Sequence, residues 1–368
     1  MALFMDFHKF EGKITIDDIK AAHMADQAVQ DQFGVKYLQF WVNEEAGTVF
    51  CLTEGPDKEA CEKVHRMAHG NVACALVEVE PGFYRAFMGD GTKVDHGLVH
   101  LGDGSLDLGY RFIVIVSVRG VTTVRSSGNI VRSQPAHARN SVRAKISESN
   151  GRDMKWGDGD NLIGVFNDST TSIRCALEIQ KDLIKIQESE PGISFKIGIG
   201  AGQPVTKDGE FFTEAIKLAN HMTNIAQEGQ IVVSSLVKNL CKDEALLSGK
   251  NSSISVLGEP EESFVSNLLS IAEEKLADDG FTIETLCLHL GLSRPQLYRK
   301  ITSLTGRAPN DLLRDIRMDK AINHLKRNAG NISEVALEVG YSNASYFSKC
   351  FLEKFGCTPS EFVEASKN

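Results

Sequence analysis

Apolar residues recur at helical spacing through the last hundred residues, and the same pattern occurs twice. In each copy a short helix with one apolar face is followed by a glycine, a serine and a second helix. Glycine suits a tight turn between helices because it readily adopts positive φ, and serine suits the N-cap of the second helix. The pattern therefore predicts two helix-turn-helix units. Their residues, in this order, are Ile283, Leu286, Leu290, Gly291, Ser293, Leu297 and Ile301, and then Ile332, Val335, Val339, Gly340, Ser342, Phe347 and Phe351.

A longer helix is predicted between the two units, over Asn310–Lys326, directly after Pro309. At about 1.5 Å per residue such a helix is roughly 25 Å long. A rod of this length can hold the second helices of the two units about one duplex turn apart, roughly 34 Å, in successive major grooves.

In the first eighty residues, alternating strands and amphipathic helices predict the order β-α-β-β-α-β. This order is typical of a ferredoxin-like α+β sandwich. The predicted elements are Leu3–Phe7, Thr15–Phe33, Lys36–Asn43, Thr48–Thr53, Asp57–His69 and Ala73–Val79.

The middle of the chain alternates between short apolar strands and amphipathic helices, which predicts an α/β domain. A glycine-rich stretch precedes this domain and is predicted to be a linker, and a second linker follows the domain. The predicted organisation is 1–80, linker 81–108, 109–248, linker 249–262 and 263–366.

The net charge of −9 excludes a chain that binds nucleic acid through its overall charge, but the charge is unevenly placed. Residues 293–354 carry 11 Lys and Arg against 6 Asp and Glu, a surplus of +5, whereas residues 259–279 carry seven acids and one lysine. The basic surplus coincides with the helix-turn-helix units, where contacts to phosphates are needed. The eight cysteines form no CxxC pair. With no signal peptide and no long apolar run, this predicts a reduced, cytoplasmic protein without a membrane segment.

The C-terminal hundred residues resemble the AraC family of transcription regulators without a gap. Small departures are Cys287, where the family usually has Ala, and Lys349, where it often has Arg; Pro295 is tolerable in the first turn of a helix. The residues that carry the resemblance are Leu292-Ser293, Leu297–Lys300, Leu304–Gly306, Pro309, Arg317-Met318, Ala321, Leu325, Ile332, Val335-Ala336, Val339–Tyr341, Ser345–Ser348, Phe351 and Phe355–Ser360.

This resemblance implies that helices Arg294–Ile301 and Asn343–Phe351 enter the major groove of double-stranded DNA. Arg and Lys side chains suit guanine edges or phosphates, and Asn and Gln suit adenine. The alternative for any single residue is a solvated polar face. The outward residues expected to contact DNA are Arg294, Gln296, Tyr298, Arg299, Asn343, Ser345, Ser348 and Lys349.

Four of the ten histidines lie in the first eighty residues, together with a cysteine in a central strand. His65 and His69 share one helix face, and Asp6 and His8 share one side of the sheet. Imidazole and thiolate together suit zinc, nickel or copper, although such a scatter also occurs through ordinary packing. The candidate metal ligands are His8, His23, Cys51, His65 and His69.

The same stretch resembles a small ferredoxin-like family named for nickel binding. That resemblance implies a divalent transition metal, nickel or zinc, as a candidate cofactor, and it leaves a pure dimerisation role open. The motifs are Met5–His8, Ala22–Asp26, Gly34-Val35, Trp41-Val42, Gly47–Leu52, Glu54–Pro56 and Val64–Gly70.

Residues 110–247 resemble the class III adenylate/guanylate cyclase homology domain. The matching parts are Val118–Thr122, Lys155–Gly159, Val165-Phe166, Ala176–Gln180, Ile197–Gly202, Leu218-Ala219 and Ala226–Ser234. Cyclases of this family hold two metal ions with two aspartates. Asp158 matches one of these, but the other falls at Ser117, and the family's late Asn and Arg fall at Lys217 and His221. We therefore expect a catalytically inactive domain that serves in dimerisation or ligand sensing.

Together these features predict a multidomain α+β chain with a ferredoxin-like N-terminal domain, a cyclase-like α/β middle domain and an all-α C-terminal domain. The predicted function is sequence-specific transcription regulation rather than catalysis, with a metal or small-molecule effector acting on the N-terminal modules. A homodimer is expected, and RNA polymerase is a candidate partner. The alternative is an active nucleotide cyclase fused to a DNA-binding domain.

Overall fold

Two six-stranded sheets, a two-stranded sheet and a C-terminal helical region make up the described part of the computed structural model. The structure describes residues 1–89, 93–120, 124–126, 129–131, 135–155, 161–190, 192–206, 211–248, 253–327 and 330–367. Within these residues no helix is both long enough and apolar enough to cross a membrane. The observed architecture confirms the multidomain α+β prediction.

The first sheet contains the predicted β-α-β-β-α-β unit, with its strands in the order β4-β1-β3-β2. Thr15 caps helix α1 in a capping box with Asp18, as its place before the apolar periodicity predicts. The elements are β1 Ala2–Lys9, α1 Ile16–Val29 with a 3-10 turn at Gln30–Phe33, β2 Lys36–Asn43, β3 Thr48–Gly55, α2 Lys58–Ala68 and β4 Ala75–Val79.

The stretch 81–108, predicted to be a linker, is instead packed onto the first domain. It forms helix α3 Pro81–Met88 and strands β5 Lys93–Asp95 and β6 Leu98–His100, and β6 adds to the sheet beside β2. Its glycines make turns between these short elements rather than a free tether. Asp107 fixes the end of the stretch, because its carboxylate accepts hydrogen bonds from Trp41 Nε1 at 3.1 Å and from the guanidinium of Arg111.

The second sheet has the strand order β10-β11-β7-β12-β13-β14. Its last strand lies within 249–262, so part of that predicted linker also belongs to the middle domain. The elements are β7 Arg111–Gly120, β8 Val124–Ser126, β9 Asn129–Val131, α4 Ala136–Glu148, β10 Arg152–Met154, β11 Leu162–Phe166, α5 Ser169–Ser189, β12 Ile193–Gly202, α6 Thr213–Ile225, β13 Ile231–Val233, α7 Ser235–Asn239, α8 Ala245–Ser248 and β14 Ile254–Val256.

The two sheets share one core. Helices α4 and α5 cover one face of the second sheet, and α6 covers the other together with apolar side chains of the first sheet, such as Trp41 and Phe50. Gly200 on β12 allows α6 to lie directly on the strand, because a Cβ there would be 2.8 Å from the backbone nitrogen of Ala219. The N-terminal and middle domains are therefore joined by buried apolar surface.

The C-terminal region contains both predicted units. Gly291 adopts positive φ in the first turn and Gly340 in the second, as predicted. Ser293 caps the second helix of the first unit, but the corresponding cap in the second unit is Asn343 and not the expected Ser342. The helices are α9 Glu259–Lys275, α10 Ile283–Leu290, α11 Arg294–Thr305, α12 Pro309–Lys326, α13 Ile332–Glu338, α14 Ala344–Phe355 and α15 Pro359–Lys367.

Candidate nucleic-acid interface and candidate metal centre

In the first helix-turn-helix unit, α11 is held by its apolar face and presents its polar face to solvent. Leu297 and Ile301 are buried against the core that α9, α10 and α12 share. Arg294, Tyr298 and Arg299 are exposed on the opposite side. Tyr298 leaves 54% of its surface exposed.

The second unit repeats this arrangement on α14. Phe347 and Phe351 are buried, while Ser345 and Lys349 are exposed. Tyr346 is also exposed, to 58%, although the sequence interpretation did not include it among the outward residues. The sequence signal for an outward Tyr346 was its place on a helix of 3.6 residues per turn, between Ser345, which is exposed, and Phe347, which is buried.

Several of the predicted contact residues already have bonds within the protein. Gln296 accepts a hydrogen bond from the backbone N–H of Ser293 at 2.9 Å in a capping box. Asn343 accepts bonds from the two backbone N–H groups that follow Ala344, each at 2.9 Å. These two residues therefore hold the start of α11 and of α14.

Two further predicted residues also have partners. The Ser348 hydroxyl donates to the backbone carbonyl of Ala344 at 2.8 Å and is half-buried. Arg294 forms an ion pair with Glu284. Arg299 and Lys349 show neither a hydrogen bond nor an ion pair to any part of the chain that the structure describes. They are the side chains most available to an external partner.

The helix α12 between the units is tied to both neighbours by a cluster of charges. Lys354 of α14 lies 2.8 Å from Asp319 and 2.9 Å from Asp315, and Arg307 lies 3.1 Å from Asp315. Arg119 of the middle domain also pairs with Asp319. Burial would raise the pKa of Asp319, but Arg119 and Lys354 outweigh it and hold that pKa well below its usual range. No sequence motif indicated this cluster, since its members come from three separate elements.

The N-terminal domain brings most of its predicted metal ligands into one buried region between the sheet and helices α1 and α2. Because β1 and β3 pair with Asp6 opposite Cys51, the donor atoms of Asp6, His8 and Cys51 lie within 4.8 Å of one another. The donor atoms of Asp26, His65 and His69 form a second group of the same size. All members of the two groups except Asp6 line a cavity of about 200 Å³.

His65 joins the two groups. Its Nε2 lies 2.9 Å from Asp6, and its Nδ1 lies 3.2 Å from Asp26. His69 Nε2 lies 3.2 Å from the same Asp26 carboxylate, and His8 Nε2 lies 3.5 Å from Asp6. The two carboxylates thus hold three imidazole rings in place.

The charges of this cluster are strongly coupled. Burial would lower the pKa of His65, but the hydrogen bonds to Asp26 and Asp6 raise it to about 10. Burial would raise the pKa of Asp6, yet the facing His8 and His65 hold it well below its usual range. Burial, followed by Asp6 and Asp26, raises the pKa of the Cys51 thiol well above its usual value. A cation entering here would displace protons from both nitrogen and sulfur.

His23, the remaining predicted ligand, lies beside the groups rather than in either of them. Its Nε2 is 3.1 Å from the side-chain nitrogen of Gln27, and its buried Nδ1 has no hydrogen-bond partner among the residues that the structure describes. Asp6 and Asp26, conversely, were missing from the predicted ligands. The sequence signal for these two aspartates was their spacing from a histidine. Asp6 lies two residues before His8 on a strand, and Asp26 lies three residues after His23 on a helix, so each carboxylate shares a face with an imidazole.

In the middle domain, the residues at the cyclase positions have other surroundings. Ser117 is buried on β7, and the ammonium of Lys217 lies 3.1 Å from Glu214. His221 is buried with its Nε2 3.4 Å from a carboxylate oxygen of Glu273 on α9. Asp158 lies outside the described residues.

Two family models match this chain. The model described as Nickel responsive protein SCO4226-like matches residues 4–79, and the model described as Helix-turn-helix domain matches residues 286–365. These matches confirm, at the level of domains, the resemblances of the N-terminal and C-terminal stretches.

The chain spans 30% or less of the length of the first curated relatives that it matches. The Raffinose operon transcriptional regulatory protein RafR of Pediococcus pentosaceus is 34% identical over 83 residues, which are 23% of this chain and 30% of that protein.

Two solved structures are each similar to one part of the chain. SCO4226 from Streptomyces coelicolor A3(2) is 42% identical, with 21% of this chain and 95% of that chain covered and a TM-score of 0.21. The Adenylate/Guanylate Cyclase/Hydrolase from Silicibacter pomeroyi is 27% identical, with 35% of this chain and 78% of that chain covered and a TM-score of 0.29. The cyclase match carries no conclusion about the activity of this chain.

Proposed function

We propose that this protein is a DNA-binding transcription regulator of the AraC type. The observation that carries the proposal is the pair of helix-turn-helix units on one helix, each with an exposed polar face on its second helix. Helices α11 and α14, the recognition helices of this proposal, would each enter the major groove. A homodimer on repeated half-sites and contact with RNA polymerase extend the same proposal.

Arg299 and Lys349 are the residues that we expect to contribute most to DNA affinity. Each carries a full positive charge and has no partner within the described residues, so binding DNA breaks no internal ion pair. Tyr298, Ser345 and Tyr346 flank them and would contact bases or sugar. Gln296 and Asn343 would act mainly by fixing the starts of the two helices.

The test is binding of the full chain to the DNA upstream of its own gene, at fixed salt, against an unrelated duplex of equal length. Specific binding that falls steeply with rising salt is expected, because phosphate contacts release counterions. Equal affinity for both duplexes under every condition would overturn the proposal.

We further propose that the N-terminal cluster binds a divalent transition metal, nickel or zinc. The donor set supports this, since imidazole, thiolate and carboxylate groups are the ligands that such metals take. His8, Cys51 and Asp6 would form one part of the ligand set, with His65, His69 and Asp26 nearby. The metal would supply positive charge to a cluster that holds two buried carboxylates. The name of the matching N-terminal family, nickel responsive, supports the same choice.

Calorimetric titration of the full chain with nickel and with zinc tests the metal proposal without any DNA. We expect one tight site per chain and the release of protons, because the Cys51 thiol and His65 are protonated in its absence. The double substitution His8→Ala and Cys51→Ala should abolish the tight site. Unchanged titration by that variant would refute the assignment.

We propose that the middle domain has no cyclase activity. Ser117 is neutral where a metal-binding carboxylate is needed, and Lys217 is paired with Glu214 on its own helix. An assay of the purified protein with ATP or GTP, magnesium and manganese should form no cyclic nucleotide. Formation of either product would reverse this conclusion and favour an enzyme fused to a DNA-binding domain.

A further inference from the structure

A cavity of about 600 Å³ lies between the middle domain and the C-terminal domain. Ser117 and Arg139 line it from the middle domain, and Ile316 and Lys320 line it from helix α12. Sites for small molecules typically measure about 300–1,000 Å³ and often lie between domains. The cavity is therefore of the right size and in the right place for a ligand that touches both domains.

Of the two acidic side chains that line this cavity, Asp319 is already engaged by cations. Asp319 pairs with Arg119 and with Lys354, the latter at 2.8 Å. Glu273 faces the imidazole of His221 at 3.4 Å. Asp319 is therefore not available to balance a further cation of the lining, and the Glu273 side chain is 46% exposed to solvent.

Two of those cations have no such partner. Arg139 on α4 and Lys320 on α12 are both half-buried, and neither has a hydrogen bond or ion pair with any of the described residues. Burial, followed by the neighbouring Arg143, lowers the pKa of Arg139, and the charge of Asp153 offsets only part of this effect. Two half-buried cations from different domains that face one cavity, without a hydrogen bond or ion pair to the described residues, favour a negatively charged ligand.

The rest of the lining combines amides and apolar side chains. Asn224 and Asn323 offer hydrogen-bond donors and acceptors, while Ile316, Ile322 and Phe362 provide apolar surface. Such a lining suits a molecule with an acidic group at one end and a compact hydrophobic body.

We propose that this interdomain cavity binds a small organic anion, with its acidic group between Arg139 and Lys320 and its apolar body against Ile316 and Phe362. Since the ligand contacts α4 and α12 together, it stabilises the docked arrangement of the two domains. The coupling of the ligand to DNA affinity rests on the function proposed above, whereas the site itself does not.

The site is tested first without DNA, using 8-anilinonaphthalene-1-sulfonate, a fluorescent aromatic anion, as the probe for the full chain. We expect a saturable increase in fluorescence that naphthalene-1-sulfonate reverses and that the uncharged 1-naphthalenemethanol does not. Arg139→Gln and Lys320→Gln should each weaken this binding roughly tenfold or more, because each removes a charged hydrogen bond.

Matched controls are Arg66→Gln and Lys181→Gln, which remove cations that are more than 60% exposed and far from the cavity lining. They should leave the titration unchanged. Coincident titrations of wild type, Arg139→Gln and Lys320→Gln would overturn the site, as would equal displacement by the charged and uncharged competitors. Circular dichroism of the two variants, expected to match wild type, excludes unfolding as the cause of a loss.

A second titration measures the affinity for specific DNA with and without naphthalene-1-sulfonate. We expect the anion to shift the affinity of wild type at least twofold and to leave that of Arg139→Gln unchanged. Binding of the anion without any shift would refute the coupling while the site stands. A chain that binds the anion but no specific DNA would refute the function proposed above and not the cavity.

Discussion

His65 in the N-terminal cluster directs both ring nitrogens to carboxylates, whereas Arg299 and Lys349 on the second helices bond to none of the described residues. The cluster is buried and its donors stand in fixed positions before any ligand arrives. The helix faces are exposed, and their charges are free to exchange water for an external partner. A small cation needs a closed set of donors, while a duplex needs an open face, and the two regions differ accordingly.

This contrast has an energetic consequence. In the cluster each group supports its neighbours, so removing one leaves the others buried and unpaired. On the helix faces a side chain can be removed without leaving an orphan inside the protein, so the cost should appear in binding rather than in folding. Substitutions in the two regions can therefore separate stability from ligand affinity.

The largest effect is expected for Asp6→Ala. It leaves His65 and His8 without the carboxylate that they share, in a site where Asp6 itself is 1% exposed. Removing one partner of a buried charged pair typically costs about 3–5 kcal/mol. Thermal unfolding of the metal-free full chain should show a clearly lower midpoint for the N-terminal transition. Glu62→Ala, on the outer face of α2, serves as the control, and equal midpoints for the two variants would contradict the coupling of the cluster.

Arg299→Ala and Lys349→Ala should act in the opposite way. Each should weaken specific DNA binding roughly tenfold and reduce its salt dependence, with an unfolding change below about 0.5 kcal/mol. Fluorescence anisotropy with the upstream duplex at several salt concentrations measures both quantities. Lys63→Ala, an exposed cation of the N-terminal domain, is the matched control. A loss of stability without a loss of affinity would place these residues in the structure rather than the interface.

The sequence was sufficient to predict the two helix-turn-helix units and the β-α-β-β-α-β order, because local periodicity and turn glycines specify both. It placed α12 to within one residue at its start, since Pro309 fixes the first helical position. The ferredoxin-like strand order could be predicted because the connections are short and the fold leaves few alternatives.

What the sequence did not predict arises from long-range packing. The segment 81–108 reads as a linker because its glycines are frequent, yet apolar Phe87 and Val99 are fully buried and draw it onto the first domain. The ion cluster of Arg119, Asp319 and Lys354 joins residues up to 235 positions apart along the chain, and a local sequence pattern cannot predict such a contact.

Asn343→Ala tests a residue that lies between these two cases. Asn343 is a predicted DNA contact, and it also caps the start of α14. Loss of this N-cap should destabilise the C-terminal domain by about 1 kcal/mol, because two backbone N–H groups lose their acceptor. Asn343→Asp keeps the cap and should restore the stability. Hydrogen exchange at Ser345 and Tyr346 reports the effect directly. Recovery of stability without recovery of DNA affinity in Asn343→Asp would assign the residue a contact role as well.

The smallest effect is expected for Ser348→Ala. Within the described part of the chain its hydroxyl bonds only to the carbonyl of Ala344 on its own helix, and that carbonyl is also placed to accept the helical N–H of Ser348. Alanine has the higher helix propensity, so stability should change by less than about 0.5 kcal/mol, with DNA affinity within twofold of wild type. Anisotropy and thermal unfolding measured beside Lys349→Ala make the comparison on adjacent residues of one helix. A tenfold loss of affinity in Ser348→Ala would mean that this half-buried hydroxyl turns outward to DNA, and the exposed face of α14 would then be wider than its present geometry indicates.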